Sequence, residues 1–327
     1  MIKWKHVLIA FATVVLILLP WVVKSPYAIH IMIMTTIFAA LALSYNFSVG
    51  EVGTLSLVHA TFFGVGGYTA AIITTQVSDE IPFLILVLIS GAVGGVLAVL
   101  IGIPSFRLPE RSFAIGTLAF AMIAQQVVHN WVSFTRGPMC IVPIPKPNLG
   151  IPSILNWSPS SVREYYYISL GIFILVLFFS IRLVGSRIGR AFNAVREAPT
   201  LATSIGISPL KYKMIAFVVG AIIAAGLGVL YAQYLTIMCP SDLSFVVLIN
   251  LLIMVYVGGI GSTKGVVMGA FVFVLLPELL RVTPAYRTLI YGVILLLSTF
   301  FMPDGLSSVV DKIADYAKKR FTRSSLS

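Results

Sequence analysis

Long apolar runs, separated by proline, glycine or charge, recur from one end of this chain to the other. A bilayer core about 30 Å thick needs about 20 apolar residues for each helix that crosses it. Ten runs approach that length: Val7 to Val23, Ala28 to Val49, Val52 to Thr75, Pro82 to Ile103, Ser112 to Phe134, Tyr165 to Leu183, Tyr212 to Leu235, Leu243 to Val257, Val266 to Leu280 and Thr288 to Met302. The pattern predicts an all-α polytopic membrane protein of about ten transmembrane helices. The last three runs are short, so tilted pairs, broken helices or re-entrant segments are expected there.

Composition agrees. Hydrophobic residues make up 59% of the 327 and charged residues 10%, where a soluble globule would carry roughly a quarter charged. Lysine and arginine mark the inner side of a membrane protein. With the amino terminus inside, the outer segments hold only Lys24, Arg136, Lys146, Arg163, Arg281 and Arg287 of the 22 basic residues. Both termini are then cytosolic. The net charge of +11 is accounted for by topology, and nucleic-acid binding is not needed to explain it. The first run follows Lys3 and Lys5, but Lys24-Ser25-Pro26 has no small-x-small cleavage site, so it reads as an uncleaved helix.

The expected organisation is a membrane domain over residues 1–303, with a proline-rich outer loop at 135–164 that includes the Trp157-Ser-Pro turn and a cytosolic loop at 184–211. A basic tail follows at 304–327. In that tail Val309, Val310, Ile313, Tyr316 and Ala317 fall on a helical period among lysines, a pattern for a short helix on anionic lipid or for a solvated tail. Cys140 and Cys239 both fall in outer segments. A disulfide is open to them in an oxidising compartment, but two unpaired small residues is the expectation.

Ser186 to Lys213 is the one long basic amphiphilic segment. Phe192, Val195 and Arg196 share a helical face, with Arg190 and Asn193 turned away. Pro199 suits the first position of a second helix, Gly206 a left-handed cap, and Ser208-Pro209 the start of the next span. Two short helices parallel to the membrane are expected.

Glycines elsewhere first mean close helix packing. Val49-Gly50-x-Val52-Gly53-Thr54 and Val257-Gly258-x-Ile260-Gly261-Ser262 repeat one pattern, and interrupted helices at corresponding places in two pseudo-repeated halves point to a translocation path. Ionisable groups within spans are few: His30, Glu51, His59, His129 and Glu278. Such groups are functional candidates, and His59 is the one expected to line the path, against the plainer reading of a neutral histidine bonded between helices. No catalytic set or metal-ligand spacing is present. Gly258 to Gly265 fails as a phosphate loop because Lys264 does not follow a glycine and precede Ser or Thr.

Gly189-Arg190-Ala191-Phe192-Asn193-Ala194-Val195-Arg196-Glu197, with Ala202, Gly206-Ile207 and Lys211-Tyr212-Lys213, resembles the cytosolic coupling loop of the branched-chain amino acid permease family, the LivM-type membrane subunits of ATP-binding-cassette importers. Ser44 to Gly50 running into Gly53 to Gly64, Thr135-x-Gly137-Pro138, Tyr256 to Ser262 and Pro303-x-Gly305-Leu306 are similar to the same family. Val58, Arg136, Cys140, Pro143, Lys264 and Glu51 depart from its usual pattern. The resemblance implies a permease without enzymatic activity or cofactor of its own in the bacterial inner membrane. Its implied partners are two cytosolic ATPase subunits that bind the ATP, a second homologous permease subunit and an extracytoplasmic solute-binding protein. It implies that Gly189, Arg190, Arg196, Glu197, Ala202 and Gly206 couple to the ATPases, and that Asn46, Gly53, Ser56, His59, Gly258 and Gly261 line the path. Branched-chain amino acids are the implied solute, with urea or short amides as alternatives. An ion-coupled secondary transporter using Glu51, His59 and Glu278 as a proton relay is the competing reading.

Overall fold

The computed structural model describes residues 25–78, 80–150 and 161–280, together with 19–21, 23, 159, 292, 293 and 305. Most of the first and tenth expected spans, the Trp157 turn, the basic tail and the Glu278 side chain lie outside the described residues. Within them the chain is helical: α1 (Pro26–Asn46), α2 (His59–Ile72), α3 (Phe83–Ser105), α4 (Glu110–Asn130), α5 (Val132–Thr135), α6 (Val162–Val184), α7 (Arg187–Glu197), α8 (Pro199–Ser204), α9 (Pro209–Leu235), α10 (Phe245–Gly258) and α11 (Thr263–Leu280). The expected all-α class holds.

Five of these segments are long and apolar enough to cross a membrane: Pro26–Glu51, Phe83–Ser105, Ser112–Asn130, Val162–Val184 and Pro209–Leu235. Phe245–Gly258 and Thr263–Leu275 are apolar but shorter. At 1.5 Å per residue, the 14 residues of α10 rise only about 21 Å, less than a bilayer core.

The third expected span does not begin at Val52. Helix α1 runs on through a π turn at Phe47–Glu51, and the next seven residues are not helical. Gly53 has a φ of +75°, a left-handed conformation that glycine adopts without a Cβ penalty. Across the break Val52, Thr54, Ser56 and Val58 are buried while Gly53 and Leu55 are exposed. The helix resumes only at His59.

Helix α9 is the centre of the packing, lying against α1, α2 and α3, while α1 also packs on α6 and α11. Its small residues make this possible. A Cβ on Gly66 of α2 would overlap the Ala225 backbone, one on Gly228 would overlap the Phe63 carbonyl, and one on Gly94 of α3 would come 2.6 Å from the Ala225 side chain. In a bilayer, where lipid tails are as apolar as leucine, such backbone approach supplies the contact energy. Leu84, Leu88, Val96 and Leu100 on α3, and Leu175, Phe178 and Ile181 on α6, are each more than half exposed. These outward apolar rows suit a lipid-facing surface, since all backbone groups there are satisfied within the helix.

Cys140 and Cys239 are not separate, as the sequence suggested, but form a disulfide with Cα atoms 4.4 Å apart. The neighbouring residues Ile141 and Met238 exchange backbone hydrogen bonds of 2.9 and 3.2 Å. That register brings the two sulfurs together across 99 residues of chain. The same end of the molecule holds His30 Nδ1 2.7 Å from Tyr234 Oη. At the opposite end Lys213 Nζ donates to Glu110 Oε1 at 2.6 Å, joining α9 to α4 beside the basic loop.

Candidate functional site

The basic loop folds as two short helices. Ser186 caps α7, its hydroxyl accepting from the Ile188 and Gly189 amides, and so satisfies donors that have no intrahelical partner. Pro199 opens α8. Gly206 ends it at φ +81° with nothing within 4 Å of the position a Cβ would take. Pro209 starts α9, although Ser208 makes no side-chain capping bond there.

The inward face of the loop is apolar. Phe192, Val195 and Ala202 are buried with Phe47, Val52 and Ala216, so the loop sits on the ends of α1 and α9. Gly189 lies so close to Val184 that a Cβ would overlap its carbonyl. Arg190, Asn193 and Glu197 face outward. Ala202, at 2% exposure, belongs to the inward side, whereas Leu201 (68%) and Ile205 (73%) are uncovered.

One loop residue reaches into the helix breaks. Arg196 donates from its guanidinium to the Gly50 carbonyl at 2.5 Å, and its stem passes Gly53, where a Cβ would stand 3.1 Å from Arg196 Cγ. A side chain at Gly261 would overlap the same guanidinium. On the other side of the junction the Gly261 amide donates to Asn46 Oδ1 at 3.2 Å, and Asn46 Nδ2 donates to Glu51 Oε1 at 3.3 Å. Glu51 is 1% exposed. Gly305 packs on Gly259 closely enough that a Cβ would overlap its backbone, and Gly258 packs likewise on Gly265. Residues from four separate sequence motifs therefore meet at one end of the molecule. Asn46, Gly53, Gly258 and Gly261 are brought together there with Arg196.

His59 and Ser56 lie elsewhere. His59 is fully buried, with Nε2 2.9 Å from Ser44 Oγ and its ring 5.0 Å from that of Tyr45. It faces α9, where a Cβ on Gly220 would lie 3.4 Å from the imidazole. The Ser56 carbonyl accepts from Tyr45 Oη at 2.8 Å. Around this break the hydroxyls of Ser48, Thr54, Ser56 and Thr61, and Nδ1 of His59, are buried without a protein hydrogen-bond partner. Native proteins rarely leave buried polar groups so.

Leu201 and Ile205 as exposed apolar residues, and Gly50 as an acceptor for Arg196, were not singled out from the sequence. Leu201 and Ile205 sit four apart, about one helical turn, which was a readable signal. The Gly50 contact spans 146 positions and left none.

Residues 27–299 match the family model described as branched-chain amino acid transport system / permease component. The chain is 31% identical to the high-affinity branched-chain amino acid transport system permease protein LivM of Escherichia coli, over 93% of this chain and 75% of that protein. It is 25% identical to LivH of the same organism, over 82% and 90% of the two chains. It is also 25% identical to the probable branched-chain amino acid transport permease protein LivM of Methanocaldococcus jannaschii, over 78% and 80%. No solved structure gives a significant match. With one family model spanning most of its length, and with four of the motifs that carry the likeness meeting at one end of a helical membrane fold, the chain belongs to the branched-chain amino acid transport permease family and is of the LivM type.

Proposed function

We propose that this chain is one of two permease subunits in an ATP-driven importer of the bacterial cytoplasmic membrane, and that it carries branched-chain amino acids. Both termini and the α7–α8 loop face the cytosol, where two ATPase subunits bind the ATP and dock on the loop. The disulfide end faces outward and receives solute from a binding protein. The observation that carries this reading is the pair of uncovered apolar residues, Leu201 and Ile205, at 68% and 73% exposure, beside the open Gly206 on a polar loop whose Phe192 and Val195 are buried and whose Ile188 is 38% exposed. Exposed apolar patches of this kind mark protein contacts. Gly189, Arg190, Glu197 and Gly206 surround or support that surface.

The path is proposed to run along the non-helical segment 52–58 and the Gly258–Gly261 turn. The buried hydroxyls without partners there suit a small polar or zwitterionic solute, and the sparse fixed charge does not suit an inorganic ion. His59, buried against Ser44 and Tyr45, supports the break from behind.

Leu201→Asp and Gly206→Val test the docking reading. The strain of a β-branched residue at Gly206 is about 1–2 kcal/mol and meets no neighbour, so the folded chain is retained. Both variants should lose co-purifying ATPase subunits and the uptake of leucine, isoleucine and valine. Normal assembly and uptake in both would remove the assignment. Uptake of all three that persists without this chain, with urea uptake lost, would assign the solute to the amide class. Uptake driven by a proton gradient without any ATPase would favour the secondary-transporter reading.

A further inference from the structure

The convergence on Arg196 goes beyond a docking loop. We infer that Arg196 is a latch, a positioning residue that clamps the inner ends of α1 and α10 together and through which movement of the α7–α8 loop opens the inner mouth of the path. The inference rests on the reading of that loop as the ATPase-docking element.

Electrostatics explain why a cation sits here. The α1 helix with its π turn ends at Glu51, and α10 ends at Gly258. Each terminus presents carbonyls that have no intrahelical partner and a partial negative charge that favours a cation. The two termini meet at Gly50 and Gly261, with the buried Glu51 side chain beside them. Arg196 faces all three, bonding the Gly50 carbonyl and filling the space where Gly261 has no side chain. Without it, the two partial negative helix ends face each other with no cation between them, and the Asn46 bond to the Gly261 amide remains as a tie across the junction.

The geometry also permits release. Arg196 is the residue before the end of α7, so a shift of the loop acts directly on it. Gly53, Gly259 and Gly261 all have positive φ, and such positions absorb backbone rotation at low cost. Phe192 and Val195, by contrast, are buried among apolar neighbours, in contacts that set no single direction. A single charge-assisted hydrogen bond is strong enough to bias two positions of the junction and weak enough to break when the docked ATPases move.

The test uses the intact importer in lipid vesicles, with Arg196→Ala and Arg196→Lys made alone and together with Thr263→Cys as a reporter at the junction. Since Cys140 and Cys239 are paired, the reporter is the free thiol in the chain. The expected result for Arg196→Ala is retained ATPase subunits and retained ATP hydrolysis. Solute moved per ATP should fall roughly tenfold, the scale of one lost hydrogen bond to a charged donor, and Thr263→Cys should be labelled faster from the cytosolic side. Arg196→Lys keeps the charge without the planar fork and should fall between the two. Loss of the ATPase subunits from Arg196→Ala, with Arg196→Lys normal, would make Arg196 a docking contact and overturn the latch. Unchanged coupling and labelling in Arg196→Ala would also overturn it, while leaving the docking reading intact. ATPase subunits absent from the parent complex itself would remove both.

Discussion

Glycine serves different ends along this chain, and only the surroundings of each residue tell them apart. Gly228 is a contact surface: its missing side chain admits the Phe63 carbonyl and the Gly67 amide of α2. Gly206 is a left-handed terminator in open space, and Gly171 of α6 has nothing within 4 Å of its absent Cβ. Gly228→Ala is therefore expected to destabilise the folded chain by about 1–3 kcal/mol through overpacking, seen as a lower unfolding temperature in detergent. Gly171→Ala should leave that temperature unchanged or raise it. Equal effects of the two would mean that α2 and α9 are not in backbone contact. The sequence showed that these glycines are dense in the spans, but neighbours from other helices decide which of them tolerate a methyl group.

At the scale of elements, α7 is the clearest case of local determination. Its cap, its buried face and its stop before Pro199 all follow from residues within one short stretch, because a serine hydroxyl, a 3.6-residue period and a proline ring act on near neighbours. Ser186→Ala should cost about 1 kcal/mol of helix stability. In hydrogen exchange, the amides of Ile188 and Gly189 should exchange several-fold faster while α9 is unaffected; no change at those amides would mean that the cap bond is not formed in solution. The third span shows the opposite. Val52 to Val58 is apolar enough to pass for helix, yet it is not helical. The small residues Gly53, Thr54 and Ser56 were the legible sign of a break. That the helix restarts at His59 depends on contacts with Tyr45 and Ser44 of α1.

At the scale of the whole molecule, the disulfide is the long-range tie at one end, as the Arg196 junction is at the other. Closing a loop of about a hundred residues restricts the unfolded chain, and removing such a bridge typically costs about 2–4 kcal/mol. Cys140→Ser with Cys239→Ser should lower the unfolding temperature accordingly, and an impermeant thiol reagent should label the parent chain only after reduction. Labelling without reductant would refute the pairing. Membrane class and the two-helix loop were set by the sequence alone, because hydrophobic length and capping are properties of neighbouring residues; of the ten expected spans, five are long apolar helices among the described residues. Family membership was legible for the same reason, being carried by short contiguous motifs. The break before His59, the cysteine pairing and the meeting of Asn46, Gly50, Gly53, Arg196, Gly261 and Gly305 were decided only in three dimensions. Each joins residues far apart along the chain, and no local preference specifies which distant carbonyl an arginine will find; helix packing through α9 and the seating of α7 on the ends of α1 and α9 bring those groups within bonding distance.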